Sequence, residues 1–311
     1  MPRADADCIG AADASLMGRL RRVVAARPEQ TAISYADGAL TYAAFWDQVE
    51  LAAKALIASG VLVGDRVASW SPNRPECIVI QCAALLCRAS VVHLDPELDG
   101  AEAMGVLEQL PCRHVFVRAN HDGKQYPAIL RALRRERGFA CEVTVHGRPE
   151  RFERVLPGGW LDFLDSGRAV TSAALAGRES ANGSEDASRV VAFCAGREGA
   201  PVKLSAAALS GEARPFEAEA AMSWAVAAFS EPTVLATSCF GALLAGGELS
   251  LTDAFTDAED FLRLVRTHRF SQVFAPRTRI EAVSQAPNSA ELLGNCRLIE
   301  SGSKAAWAAR T

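Results

Sequence analysis

Arg66-Val-Ala-Ser-Trp70, Pro75-Glu-Cys-Ile-Val-Ile-Gln-Cys-Ala-Ala-Leu-Leu86 and Ser90-Val-Val-His-Leu94 follow one another with short polar breaks. The first and last runs are short, carry valine among mostly apolar residues and are bounded by polar breaks, which predicts strands. The middle run opens on a proline, suited to the first turn of a helix. A strand, a helix and a strand within thirty positions is the unit of an α/β fold with a largely parallel sheet. Working backwards, Thr41 is a good helix cap. Phe45, Val49, Ala52 and Leu56 then recur at helical spacing, and Gly60 supplies the stop.

Working forwards, His114-Val-Phe-Val-Arg118 and Glu142-Val-Thr-Val-His146 read as further strands. Arg178 to Asp186 is polar and turn-rich, which predicts a surface loop. The alternation then resumes. Ser223 to Phe229 reads as a strand, Val234 to Leu244 as a helix and Glu248 to Thr252 as a strand. Asp257 to His268 is an amphipathic helix carrying Phe261, Leu264 and Val265 on one face. Gln272 to Ala275, a helix from Thr278 to Gln285, and Cys296 to Glu300 complete the series.

Composition narrows the function. The 311 residues are 50% hydrophobic, enough for a large core, and carry a net charge of -4. That charge argues against broad nucleic-acid binding. The one basic cluster, Arg131 to Arg137, reads as a solvated helix face. The longest apolar runs, Cys77 to Cys87 and Val234 to Gly247, fall short of the ~20 residues of a membrane helix. The N-terminus carries Asp5 and Asp7 and no apolar core, so a cytoplasmic location is expected. Nine cysteines without a Cys-x-x-Cys pair fit free thiols. Cys77, Cys82 and Cys87 turn ~140° from one to the next on a helix, so they read as packed small hydrophobes and no metal site is expected.

One stretch carries candidate chemistry, Phe193-Cys-Ala-Gly-Arg-Glu-Gly-Ala-Pro-Val-Lys-Leu-Ser205. It follows the strand-like Arg189-Val-Val-Ala192 and precedes an Ala-rich helix. A glycine-rich loop between strand and helix cradles phosphate with backbone N–H groups. Gly196, Gly199 and Pro201 provide the turn, and Lys203 a cation.

With these residues in place, the chain resembles the N-terminal domain of the AMP-forming acyl- and aryl-CoA synthetases, the adenylate-forming superfamily. Leu40-Thr-Tyr-Ala-Ala-Phe45, Gly60-Val-Leu-Val-Gly-Asp-Arg-Val67, Pro72-Asn-Arg-Pro-Glu76 and His93-Leu-Asp-Pro96 carry the resemblance. Ala245-Gly-Gly247 and Phe255 to Val273 extend it. It implies an α/β fold of mixed, largely parallel sheets flanked by helices. It also implies an N-terminal extension over 1–25 and a C-terminally truncated synthetase-like domain over 26–311.

The resemblance implies a phosphate loop of the form Tyr-Thr-Ser-Gly-Thr-Thr-Gly-x-Pro-Lys-Gly. In this chain Cys194 and Ala195 stand at the early hydroxyl positions, Arg197 and Glu198 at the middle pair, and Val202 at the lysine, with Lys203 one residue late. Each lost donor costs roughly 1–3 kcal/mol. A carboxylate ~4 Å from a phosphate charge adds about 1–4 kcal/mol of repulsion. Gly196, Gly199, Pro201 and Lys203 are thus the residues of a degenerate phosphate loop, with ATP or AMP and magnesium as cofactors only if the loop is competent. The family's aromatic-histidine element falls on Ala227-Ala-Phe-Ser230. Phe229 there is a candidate for contact with a carboxylic acid ligand, and equally reads as a core residue.

The sequence ends at Thr311, ahead of the segments implied to hold magnesium, the ribose and the catalytic lysine. No catalytic residue is therefore assigned. The expectation is a synthetase-like domain that does not adenylate on its own, kept as a binding or vestigial domain. One alternative is half of a split ligase completed by a partner chain. Another is an interaction module for an acyl group or a protein. A homodimer or partner protein is expected to cover the sheet edge around Arg297 to Trp307.

Overall fold

The computed structural model describes residues 15–138, 141–147, 158–180, 188–197, 200–212, 222–251 and 257–301. The chain divides into two compact units, one of Met1–Met17 with Trp46–Ala206, the other of Gly18–Phe45 with Ala207–Thr311. Each holds a six-stranded sheet.

Strands β1 (Thr31–Tyr35) and β2 (Gly38–Thr41) belong to the second unit, and β3 (Arg66–Trp70) to the first. The first unit adds β4 (Ser90–Leu94), β5 (His114–Arg118), β6 (Glu142–His146), β7 (Val190–Ala195) and β8 (Val202–Ser205), in the order β6-β5-β3-β4-β7-β8. All its pairs are parallel except β7 with β8. All five residues of the central strand β4 are buried, as a strand covered on both faces requires.

Helix Pro75–Leu86 is buried at every residue except Glu76. Its Gln81 Oε1 accepts from His93 Nε2 of β4 at 2.8 Å, while Gln81 Nε2 donates to Val191 O at 3.3 Å. Two polar side chains are thereby satisfied in an apolar layer, as burial demands. Cys77, Cys82 and Cys87 are buried thiols, as their spacing suggests. Helix Gly100–Gln109 opens with a reciprocal capping box of Asp99 and Glu102. Helix Tyr126–Arg137 stops at Gly138 with φ 65°, the left-handed turn that glycine takes without strain.

The second unit adds β9 (Met222–Ala225), β10 (Glu248–Ser250), β11 (Gln272–Pro276) and β12 (Arg297–Ser301), in the order β12-β11-β9-β10-β1-β2. Only β1 with β2 is antiparallel. Trp224 of β9 stacks between Phe261 and Phe270 at 4.8 and 4.9 Å and anchors this core.

Three sequence expectations are corrected here. The Ser223–Phe229 strand stops at Ala225, because the N–H groups of Val226 and Ala227 both turn to one acceptor, Phe274 O, at 2.9 Å. The Val234–Leu244 helix is π-helical over Val234–Phe240 and α-helical only over Gly241–Leu244. Arg178 to Ser180 end a helix, Ser172–Ser180, instead of opening a loop, and 181–187 lie outside the described residues. Among the described residues no helix is long and apolar enough to cross a membrane.

Candidate functional site

The carboxyl ends of β3, β4 and β7 lie side by side, and in open α/β sheets the crevice beyond such ends is where ligands bind. The loop after β4 is tied to the end of β7, since Asp95 N donates to Ala195 O at 2.9 Å. Trp70, the last residue of β3, donates from Nε1 to Asp95 O at 3.1 Å. Lys124 Nζ sits 4.8 Å from the Trp70 ring centre and 5.0 Å from that of Tyr126, and donates to the carbonyls of Pro96 and Leu98. Burial pulls this ammonium below its ordinary pKa, while Glu97 and Asp95 hold it up.

The loop itself is the turn of a hairpin. Phe193 pairs with Lys203 and Cys194 with Val202 in an antiparallel ladder. The sequence places the stretch between a strand and a helix. The structure instead interposes β8, and helix Ala206–Glu212 begins three residues after Lys203. The alternation of Val202 and Leu204, half-buried and buried, with exposed Lys203 is what makes this segment a strand.

Gly196 is half-buried at the end of β7, Arg197 and Ala200 are exposed, Pro201 is half-buried, and Lys203 projects to the surface. Cys194 and Ala195, where the resemblance places hydroxyls, are each 2% exposed. Glu198 and Gly199 lie outside the described residues. The described loop thus offers an exposed arginine and an exposed lysine and no side-chain hydroxyl before Ser205. No group of three His, Cys, Asp or Glu side chains suited to a metal ion occurs among the described residues. The described donor set does not fit a magnesium triphosphate.

Beyond the ends of β3, β5 and β6 lies a charged cluster that the sequence reading missed. Glu76 Oε2 is 4.0 Å from Arg74 Nε and 3.9 Å from His146 Nδ1. His146 is buried, which lowers its pKa to about 4, with Glu76 raising it and Arg118 and Arg74 lowering it further. Arg74 and Glu76 fall in a quoted motif, Pro72 to Glu76, and Arg118 and His146 end two of the quoted strands, but no spacing in the sequence joins the four.

Phe229 belongs to the other unit. It is 3% exposed, and neighbouring Ser230 is 4% exposed. They sit in a turn ahead of the π-helical segment, with Glu231 N bonded to Ala228 O at 3.0 Å. A π-helical turn is rare and often marks a functional region. Here its Ser238 hydroxyl lies 2.9 Å from Ser223 Oγ, which accepts from Gln272 Nε2 at 3.2 Å.

Two largely parallel sheets, each with an antiparallel edge strand, define an α/β protein with a hairpin at the carboxyl ends of the first unit's strands. The family model for AMP-binding enzymes matches residues 20–308, and the chain belongs to that family. A 3-[(3aS,4S,7aS)-7a-methyl-1,5-dioxo-octahydro-1H-inden-4-yl]propanoyl:CoA ligase from Mycobacterium tuberculosis is 31% identical over 185 residues, 58% of this chain and 34% of that protein. A mitochondrial medium-chain acyl-CoA ligase of Danio rerio is 28% identical over 116 residues, 37% of this chain and 19% of the relative. The match therefore spans about a third or less of these curated relatives.

The N-terminal domain of FACL13 from Mycobacterium tuberculosis superposes with a TM-score of 0.71 at 18% identity, over 92% of this chain and 69% of that one. A benzoate CoA ligase from Burkholderia xenovorans gives 0.70 at 18%, over 88% and 53%. The expected fold, mixed and largely parallel sheets flanked by helices, is borne out.

Proposed function

We propose that this chain is an acyl-CoA-synthetase-like domain that does not form an acyl adenylate unaided and acts as a binding domain, with a carboxylic acid as its ligand class. The Gly196 hairpin supports this reading: a thiol and a methyl, both buried, replace two hydroxyls, and Lys203 stands on a strand. Acyl adenylation places a carboxylate against the α-phosphate and needs preorganised positive charge there. The eight described cysteines are all free thiols, which supports a reducing, cytoplasmic setting.

The test is ATP–pyrophosphate exchange across a panel of fatty and aromatic acids. Background exchange is expected. A variant with Cys194→Thr, Ala195→Ser, Arg197→Thr, Glu198→Thr and Val202→Lys should gain affinity for ATP with magnesium, each regained donor contributing roughly 1–3 kcal/mol. Robust exchange by the unaltered chain, lost in Lys203→Ala, would overturn the proposal.

An association proposal accompanies it. Among the described residues β12 pairs with β11 alone, and its Leu298 and Ile299 are half-buried. An open edge accepts a further strand. A second copy or a partner protein is proposed to cover Arg297 to Trp307, although 302–311 lie outside the described residues. Leu298→Glu should dissociate the assembly in sedimentation velocity, and a monomer at every concentration opposes it.

A further inference from the structure

A second concavity lies at the opposite end of the first unit's sheet. His114 and Glu142 are the first residues of β5 and β6, so the region sits at the amino ends of strands parallel to the one that delivers the Gly196 loop. Strand side chains alternate between faces. Val115 and Val117 pack with Leu130 and Leu133 of helix Tyr126–Arg137. His114 and Phe116 stack at 4.3 Å and meet Phe163 of helix Trp160–Ser166 edge-on at 5.5 and 5.0 Å. The two helices therefore cover opposite faces of the sheet, and the outermost strand, β6, runs between them.

A cavity of about 530 Å³ wraps this edge, with Leu130, Arg134, Val143, Val145, Asp162 and Phe163 in its lining. That volume is in the range of small-molecule sites. One wall holds a cluster of three polar side chains. His114 is 3% exposed, its Nε2 lies 2.7 Å from Thr144 Oγ1, and its Nδ1 lies 3.3 Å from Glu142 Oε2. Nδ1 has no hydrogen bond of good geometry. Burial lowers the ring's pKa to about 4, so it is neutral at pH 7.

The charges at the rim decide the ligand. Arg131 and Arg134 stand on one helix and Asp162 on the other, all three are exposed, and neither Arg134 nor Asp162 has an ion-pair partner among the described residues. A simple carboxylate would satisfy Arg134 and be repelled by Asp162 and Glu142. A simple amine would leave Arg134 unmatched. An ampholyte with an apolar body answers all three features. We propose that this cavity binds a free amino acid with an apolar side chain, its carboxylate on Arg134, its ammonium on Asp162 and its side chain against Leu130, Val143, Val145 and Phe163. Nothing in this site passes through the Gly196 loop, so it stands or falls separately from the proposed function.

Isothermal titration of the full chain tests it, with L-phenylalanine and L-leucine as probes. Saturable binding of at least one is expected. N-acetylation, which removes the ammonium charge, and amidation, which removes the carboxylate, should each weaken that binding by about tenfold or more. Arg134→Gln should weaken the amino acid but not the amide, and Asp162→Asn should weaken the amino acid but not the N-acetyl form. This crossed pattern is one that a general loosening of the fold would not produce. If either variant fails to fold, the analogue series on the unaltered chain still decides. Absence of binding by both probes, or N-acetyl and amide forms that bind as tightly as the parent amino acid, overturns the proposal.

Discussion

The Tyr42 hydroxyl lies 2.7 Å from the carbonyl oxygen of Gly247 and 3.0 Å from that of Leu243, and shares its single proton between them. The ring is fully buried, and burial pushes its pKa above the ordinary phenol value, with Arg27 pulling the other way. In the same turn Gly246 O accepts from Gln30 Nε2 at 2.8 Å and from Arg27 Nη1 at 3.1 Å. Side chains flanking the β1–β2 hairpin thus clamp the turn that delivers β10. Tyr42→Phe removes the hydroxyl donor shared by the two carbonyls, of which Leu243 O keeps the N–H of Gly246 at 3.2 Å, and should destabilise the protein by about 1–3 kcal/mol. Urea denaturation reads this directly. A midpoint equal to that of the unaltered chain would show that the clamp carries no stability.

Gly167 is required by a close approach of backbones. A Cβ there would fall on Leu51 O and lie 2.8 Å from Ala55 N. Both are main-chain atoms of a helix and cannot move aside cheaply. Gly167→Ala should cost roughly 1–3 kcal/mol through overpacking. Gly177, inside helix Ser172–Ser180, has nothing within 4 Å of a built Cβ. Gly177→Ala should therefore stabilise by about 0.5–1 kcal/mol. Thermal melts of the two variants should move in opposite directions, and a shared direction contradicts the argument.

Three buried histidines make stability depend on pH. Burial lowers His93 to about 3 and His114 and His146 to about 4, whereas in the unfolded chain each titrates near 6.5. These groups are neutral when folded and bind protons when unfolded. Their contribution is fully present above about pH 6.5 and is lost as pH falls toward 4. Each can add a slope of up to about 1.4 kcal/mol per pH unit. Urea midpoints should fall between pH 7 and pH 4.5, and His114→Gln should flatten that fall. A midpoint constant from pH 7 to pH 5 would mean that these rings titrate normally in the fold.

The parallel strands are legible where local composition and packing agree. Val67, Val91, Val92, Val115 and Val117 mark three adjacent strands and are all buried. Thr31-Ala-Ile-Ser-Tyr35 escaped the reading because its partner, Leu249 opposite Ile33, is remote in sequence. The π-helical Val234–Phe240 has the same apolar composition as an α-helix, and no local signal separates the two. Gly196 and Lys203 are visible as a motif, but Lys203 is on a strand because of its pairing with Phe193, which spacing cannot disclose. The His114–Thr144–Glu142 cluster joins two strands thirty positions apart, and no short pattern joins them in sequence.

The pairing of Ile33 with Leu249 also sets an order of events during synthesis. Every strand of the first unit's sheet lies between residues 66 and 205, so that layer can close while the rest of the chain is still being made. The β1–β2 hairpin emerges earlier still, yet its parallel neighbour β10 arrives only after Glu248 has been added. Closing so long a loop is slow compared with forming a hairpin. The strands made first in their sheet are thus the ones whose parallel neighbour comes late, and an edge without its neighbour is open to other chains until then.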